Sequence, residues 1–360
     1  MLKFSWELLG YFLVAVQAIF WLALARAWKL LKKDNLTIVD ADLPAVSVII
    51  CTHNEMPRLP KIVDILLNQN YPSYEILLVD DRSDDNVEGW IKSLKNSKVR
   101  CLRIEETPIG WPPKKWAVQL GVAHAKYDWL VFTDADCSMS YNWIRSLLSV
   151  KYNPNIEVIL GYSPYQKEPT WVNQLIQTET FLTATLYLGT TRLGFPYMAV
   201  GRNMAYKRYF AGAQAQKMFK ASLSGDDDLI VNYFAKSNRT VSCVDPDSFV
   251  YSEPKKTLLA WLNQKARHYG ASFHYSGTSK VALLAFHGSF FLLLIGLFSG
   301  LFPFWMLLFR SFAQYLAIET SRKRLKHTQP VYLVWLFEPV VFIFQILLVP
   351  YSLIKKPTWK

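Results

Sequence analysis

Asp134 and Asp136 stand two residues apart at the exit of the apolar run Trp129-Leu130-Val131-Phe132. Such a run reads as a buried strand, and ionised carboxylates at its end are costly unless something offsets their charge. Residues two apart in a strand point to one side, so the spacing predicts that both carboxylates address one object. A hard cation, Mn²⁺ or Mg²⁺, carrying a diphosphate suits that role, because it takes oxygens from few carboxylates and from substrate phosphates. A second acidic cluster follows at Gly225-Asp226-Asp227-Asp228. Successive carboxylates repel one another, which raises the proton affinity of at least one, as a base that deprotonates a hydroxyl near neutral pH requires. Taken alone, the first pair reads as a strand-end turn and the second as an acidic helix N-terminus.

The elements that must position these residues are legible in the hydrophobic pattern. Residues 45–51, 74–79, 99–104 and 128–133 read as buried strands, and 58–69, 84–95 and 113–125 as the helices between them. Strands alternating with helices predict an α/β fold with a doubly wound, mostly parallel sheet, in which ligands bind beyond the carboxyl ends of the strands. Those ends carry Thr52-His53-Asn54-Glu55, Asp80-Asp81-Arg82-Ser83-Asp84 and Asp134-Ala135-Asp136. Beyond Ile156 the pattern is irregular, with helices expected near 171–192 and 227–236, and an aromatic, basic segment at 261–274.

The chain has 360 residues, 51% of them hydrophobic, and the apolar surplus is gathered at its ends. Residues 8–25 carry no charge and approach the roughly 20 residues that a 30 Å hydrocarbon core requires. Residues 281–309 divide at Gly300 and Pro303 into expected spans 281–298 and 301–318, the second containing Arg310. Residues 331–354 form another candidate, expected to bend at Glu338-Pro339 into a re-entrant hairpin. The chain thus reads as an integral membrane protein, with an anchor at 1–33, a catalytic domain at 45–255, an interfacial segment at 256–280 and transmembrane or re-entrant helices at 281–360. Arg26, Lys29, Lys32 and Lys33 follow the first span, and Arg322, Lys323, Arg324 and Lys326 follow the out-and-back pair, which puts the central domain in the cytoplasm, at a bacterial inner membrane. Lys355, Lys356 and Lys360 would break that rule if the last segment crossed once, hence the hairpin. Ala23-Leu24-Ala25 resembles a signal-peptidase site, but the basic residues downstream oppose export.

The net charge of +12 clusters beside the apolar spans, which fits anionic lipid head groups and a bilayer partner; no nucleic-acid motif accompanies it. Cys51, Cys101, Cys137 and Cys243 lack metal-ligand or redox spacing and read as reduced structural cysteines. Oligomeric state is not encoded in any pattern here.

Further motifs join the acidic clusters in order: Val46 to Glu55, Leu78 to Asp84, Lys114-Lys115-Trp116 to Gly121, Gly201-Arg202-Asn203-Met204-Ala205 and Gln264-Lys265-Ala266-Arg267-His268. The ordered set resembles the membrane-anchored, inverting family-two glycosyltransferases of GT-A fold, over about 46–269. That resemblance implies a UDP-sugar donor and, with the membrane segments, a membrane lipid as acceptor. It implies that Asp80 accepts the uracil N–H, although Asp80, Asp81 and Asp84 also read as a helix cap. Thr52 and Glu55 would line the nucleotide pocket, and His53 would only pack. Lys114 would meet the diphosphate as a point charge, with Lys115 on the solvated surface. Asp134 would face ribose or metal, and Asp136 would bind the metal. Asp227 would be the general base, with Asp226 the alternative. Gln264 and Arg267 belong to the family's Gln-x-x-Arg-Trp motif, with Arg267 on the diphosphate. His268 replaces the motif's Trp, which tilts the reading from polymer synthesis to transfer of one sugar. Trp111, Trp116 and Trp261 are open to sugar stacking, or to the core.

Two rival activities are compatible with parts of the pattern. A processive polysaccharide synthase shares the motifs but calls for more spans and the missing Trp. A nucleotidyltransferase shares the sheet and carboxylates but calls for a glycine-rich loop, and Cys51 to Glu55 contains no glycine.

Overall fold

The computed structural model describes residues 2–30, 43–150, 155–211 and 225–354. Among the described residues the strands are β1 (Val46–Thr52), β2 (Tyr74–Asp81), β3 (Val99–Ile104), β4 (Trp129–Phe132), β5 (Cys137–Met139), β6 (Val158–Leu160), β7 (Met204–Lys207), β8 (Thr240–Ser242) and β9 (Val250–Ser252). The helices are α1 (Leu2–Lys29), α2 (Leu59–Leu67), α3 (Val87–Leu94), α4 (Pro113–His124), α5 (Trp143–Ser149), α6 (Trp171–Arg192), α7 (Asp228–Phe234), α8 (Leu258–Ser272), α9 (Gly277–Phe298), α10 (Trp305–Arg324) and α11 (Val331–Ile354).

A seven-stranded sheet runs in the order β3-β2-β1-β4-β7-β6-β8, and β5 and β9 form a separate antiparallel ribbon. The β3-β2-β1-β4 half is parallel, as the alternation of strands and helices predicts, while β7 runs antiparallel to β4 and β6. The reversal has a consequence for the site. Phe132, the last residue of β4, pairs with Met204, the first of β7, so Gly201-Arg202-Asn203 arrives beside the tip that carries Asp134.

The sheet's period of two sorts its side chains into two cores. Val46, Val48 and Ile50 join Ile76, Leu78, Trp129 and Val131 under α2, α3 and α5. On the opposite face Ile49, Leu77, Val79, Leu130 and Phe132 pack with α4 and α6. Trp21, Leu24 and Trp28 of α1 belong to this second core, so the N-terminal helix is packed onto the α/β domain. Gly189 makes the crossing possible: a Cβ there would lie 2.7 Å from Leu24 and 2.9 Å from Trp28. The Trp28 indole donates to the Thr185 carbonyl at 3.1 Å beside it.

Several expectations need correction. The helix expected from 84 begins at Val87, because the preceding acids tie loops together. Asp85 accepts from the Met56 amide at 2.8 Å, and the Asp84 amide donates to Asn54 at 2.8 Å. The hairpin expected at Glu338-Pro339 is absent, and α11 runs unbroken through Pro339 and Pro350. Proline removes one backbone donor, a loss that a helix packed among others accommodates. Three helical segments are long and apolar enough to cross a membrane, Trp6–Lys29, Gly277–Phe298 and Val331–Ser352. The span expected at 301–318 is not among them; it lies in α10, which packs along α1. Within α10, Arg310 is 2% exposed and donates both to Gln17 of α1 and to Glu338 of α11. Lys32, Lys33, Lys355, Lys356 and Lys360 of the basic runs lie outside the described residues.

Candidate active site

Lys114 joins the two acidic clusters. It lies in the first turn of α4, which opens at Pro113, a residue whose fixed φ and missing N–H suit a helix start. Its Nζ stands 3.5 Å from Asp134 Oδ1 and 3.9 Å from Asp226 Oδ2. The two anions, Asp134 first, hold the ammonium well above the ordinary lysine range, so it stays charged at any physiological pH.

Asp134 and Asp136 are not on one strand face. β4 ends at Phe132, and the two residues occupy a turn into β5, closed by the Cys137 amide on the Asp134 carbonyl at 3.3 Å. Asp134 turns to Lys114, whereas Asp136 Oδ2 accepts from the Ser252 hydroxyl at 3.2 Å. Burial, and then the Asp134 charge, push the Asp136 carboxyl upward. Among the described residues no three His, Cys, Asp or Glu side chains converge as a complete metal cage. A pair of mutually repelling carboxylates still fits a hard cation that keeps its waters and takes the rest of its oxygens from a diphosphate.

Asp227 is the most tightly placed carboxylate of the second cluster. Its Oδ2 accepts from the Gly201 amide at 2.6 Å and its Oδ1 from the Asp228 amide at 2.8 Å, which caps α7. Burial and the Asp226 charge raise its proton affinity. Asp228 points inward, accepting from Ala199 N at 3.2 Å and from the Tyr275 hydroxyl at 2.9 Å. Lys115 is fully buried rather than solvated, and burial lowers it to about 8 against the raising influence of Asp226 and Asp227.

A cavity of 250 Å³ opens among these groups, lined by Lys114, Asp134, Asp226, Asp227, Gln264 and Arg267 together with Arg202 and His268. Thr52, Glu55, Asp80 and Asp136 do not line it. Thr52 and Asp80 lie side by side at the paired ends of β1 and β2. Asp80 is wholly buried and accepts from Arg103 Nη1 at 2.8 Å and from the Ser83 amide at 3.2 Å. Glu55 is held by Arg58 at 2.5 Å. Cys51, one residue before Thr52, is half-buried within the fields of Lys114, Asp226, Asp134 and Asp81, so the two groups of residues adjoin through it.

α8 brings Gln264, Arg267 and His268 to the cavity, while Lys265 pairs with Glu179 of α6 at 2.5 Å. Burial, then Lys265 and Arg267, hold the His268 imidazole well below its ordinary value and hence neutral. Arg202 donates to the Ser163 hydroxyl at 2.6 Å and lies over the Tyr165 ring at 4.7 Å. Its motif was visible in sequence but its contacts were not. Glu179 left a sequence signal that went unread: it is the only charge between Trp171 and Thr191, and a buried charge in such a helix demands a partner. Trp261 is 1% exposed and Trp111 rests on Trp116 at 5.2 Å, so Trp261 is a core residue.

The sequence of this domain matches the model of the family described as Glycosyl transferase family 2 over residues 47–210. Those residues form a family 2 glycosyltransferase domain with a GT-A fold. A Haemophilus influenzae protein described as an uncharacterized glycosyltransferase is 28% identical to this chain over 168 residues, 45% of this chain and 54% of that one. The Escherichia coli UDP-Glc:alpha-D-GlcNAc-diphosphoundecaprenol beta-1,3-glucosyltransferase WfaP is 26% identical over 129 residues, 35% of this chain and 48% of its own. The chain therefore spans about half the length of these curated relatives. The structure of the mannosyltransferase PcManGT from Pyrobaculum calidifontis, solved with GDP-Man and Mn²⁺, shares the fold with a TM-score of 0.58 at 16% identity. That likeness covers 97% of this chain and 99% of the other, so it extends beyond the glycosyltransferase domain to the apolar helices.

Proposed function

We propose that the chain is an inverting glycosyltransferase that moves a sugar from a UDP-sugar to a hydroxyl of a membrane lipid, with a divalent metal as cofactor. The reading is carried by Lys114, whose ammonium lies between Asp134 and Asp226 and so puts both acidic clusters at one cavity. Arg267 lines the same cavity with no ion pair or hydrogen bond among the described residues, which leaves a planar cation for a diphosphate. Thr52, Glu55 and Asp80 would serve the nucleotide end, where Asp80 accepts from the base once Arg103 releases its Oδ2; Gln264 joins Arg267 at the cavity.

Asp134 and Asp136 would hold Mn²⁺ or Mg²⁺, which when bound offsets the negative charge gathering on the departing diphosphate. Asp227 takes the proton from the acceptor hydroxyl as that oxygen attacks the anomeric carbon. Two backbone amides fix its orientation, and burial beside Asp226 raises its basicity. Lys114 and Arg267 retain the nucleoside diphosphate. WfaP, by its name, uses UDP-Glc and a diphosphoundecaprenol-linked acceptor, which agrees with a membrane setting for related domains. The three apolar helices support the same setting, and the basic residues Arg26 and Lys29 at the end of the first favour a cytoplasmic catalytic domain.

The test is direct. Purified full-length protein is titrated calorimetrically with UDP and GDP, with and without Mn²⁺, then incubated with a panel of UDP-sugars and extracted lipids for mass spectrometry. Manganese-dependent UDP binding and a lipid one sugar heavier are expected. No UDP binding, or long polymeric products, would overturn the proposal.

A further inference from the structure

A second cavity, of 50 Å³, lies among α1, α6, α9, α10 and α11. It shares Glu179 and Thr183 with the active-site cavity, so one turn of α6 is the wall between them. Across that wall the Gln345 side chain, which lines the second cavity, approaches the Tyr269 hydroxyl, which lines the first. α9 and α11 are two of the helices apolar enough to cross a membrane. The second cavity therefore lies between the active-site cavity and the helices that a bilayer would surround, parted from the former by that one turn.

We propose that a lipid with an uncharged, hydroxyl-bearing head reaches the active-site cavity sideways, through the seam between α6, α9 and α11. This rests on the glycosyltransferase reading and narrows its acceptor. The charges along the seam are already matched: Glu179 pairs with Lys265 at 2.5 Å and Arg310 with Glu338 at 2.6 Å. What remains for a passing head is Thr183, His287 and Gln345, which exchange hydrogen bonds with a hydroxyl at no electrostatic cost. A phosphate would have to cross a weakly polarisable seam with no unmatched cation to receive it, or break one of those pairs. The volume suits a small head, at about four water-sized spheres of 10–15 Å³ each.

Full-length protein in phosphatidylcholine nanodiscs, doped with equal amounts of diazirine-tailed diacylglycerol or diazirine-tailed phosphatidic acid, is irradiated and its crosslinks mapped by mass spectrometry. The diacylglycerol probe is expected to label the seam around Leu186 and Phe342 at least fivefold more than the phosphatidic acid probe. Leu186→Trp, which fills the seam, is expected to lower that labelling at least fivefold, and Val341→Trp does so from the facing wall. Equal or stronger labelling by phosphatidic acid, or labelling unmoved by both substitutions, would overturn the proposal. UDP calorimetry on the same preparations separates the two readings. Retained UDP binding without seam labelling sinks the seam alone, and seam labelling without UDP binding sinks the donor assignment alone.

Discussion

The Gly201 amide donates to Oδ2 of Asp227 at 2.6 Å, and a Cβ on Gly201 would stand 3.0 Å from that same oxygen. The reversed strand β7 thus delivers the clamp that aims the carboxylate. Asp227→Asn keeps the shape and removes the proposed base, and it is expected to lower single-turnover rates by about 10²–10⁴-fold. Nucleotide affinity, measured by calorimetry, is expected to change little. Gly201→Ala leaves the carboxylate but crowds it, so a smaller loss of turnover, about tenfold, is expected.

The pH profile follows from the same carboxylate. Burial and the Asp226 charge raise Asp227 above the ordinary 3.8, and a base works only when deprotonated. Rate is therefore expected to fall as pH drops through that raised value, with the acid limb above the ordinary carboxylate range. Asp226→Asn removes the like charge and is expected to move the limb to lower pH. His268, already neutral, contributes nothing there, so His268→Gln is expected to leave the limb in place.

Lys114 separates binding from chemistry differently. Lys114→Met removes the proposed charge-assisted contact to a diphosphate and leaves Asp134 and Asp226 without the ammonium between them. UDP affinity is expected to fall roughly 10–100-fold, which corresponds to the 1.5–3 kcal/mol of such a bond. Calorimetry against UDP and uridine tests this, because uridine binding is expected to stay within threefold.

Arg310 makes a different prediction, about stability. Its guanidinium forks onto both oxygens of Glu338 at 2.7 and 2.6 Å, and its face meets the Phe290 ring at 4.0 Å. Removing one partner of a buried pair leaves the other charge uncompensated, at about 3–5 kcal/mol. Arg310→Met is expected to lower the unfolding midpoint in detergent sharply, and the double variant Arg310→Met with Glu338→Leu to recover most of it. Equal midpoints for the two variants would show that Glu338 left without its partner costs nothing.

The parallel half of the sheet was legible because β1, β2 and β4 are long apolar runs flanked by periodic helices. β5, β6, β8 and β9 have three residues each, too few to set a period, and their partners lie far off in the chain. Lys114, Asp134, Asp226, Asp227, Gln264 and Arg267 were legible as a site because ordered motifs carried them, and the fold gathers them at one cavity. The turn that parts Asp134 from Asp136 was not, since strand ends are set by tertiary pairing. Lys115 misled for a related reason: adjacent helical residues point about 100° apart, so one lysine meets the cavity while its neighbour enters the core.

The Arg310–Glu338 pair also constrains the order in which the chain can be built. Translation delivers the guanidinium before its counter-charge exists, 28 positions later. Until Glu338 leaves the ribosome, α10 carries an uncompensated cation towards α1. α10 and α11 are therefore expected to settle together as one unit, making the tail of the polypeptide a condition for seating its first helix.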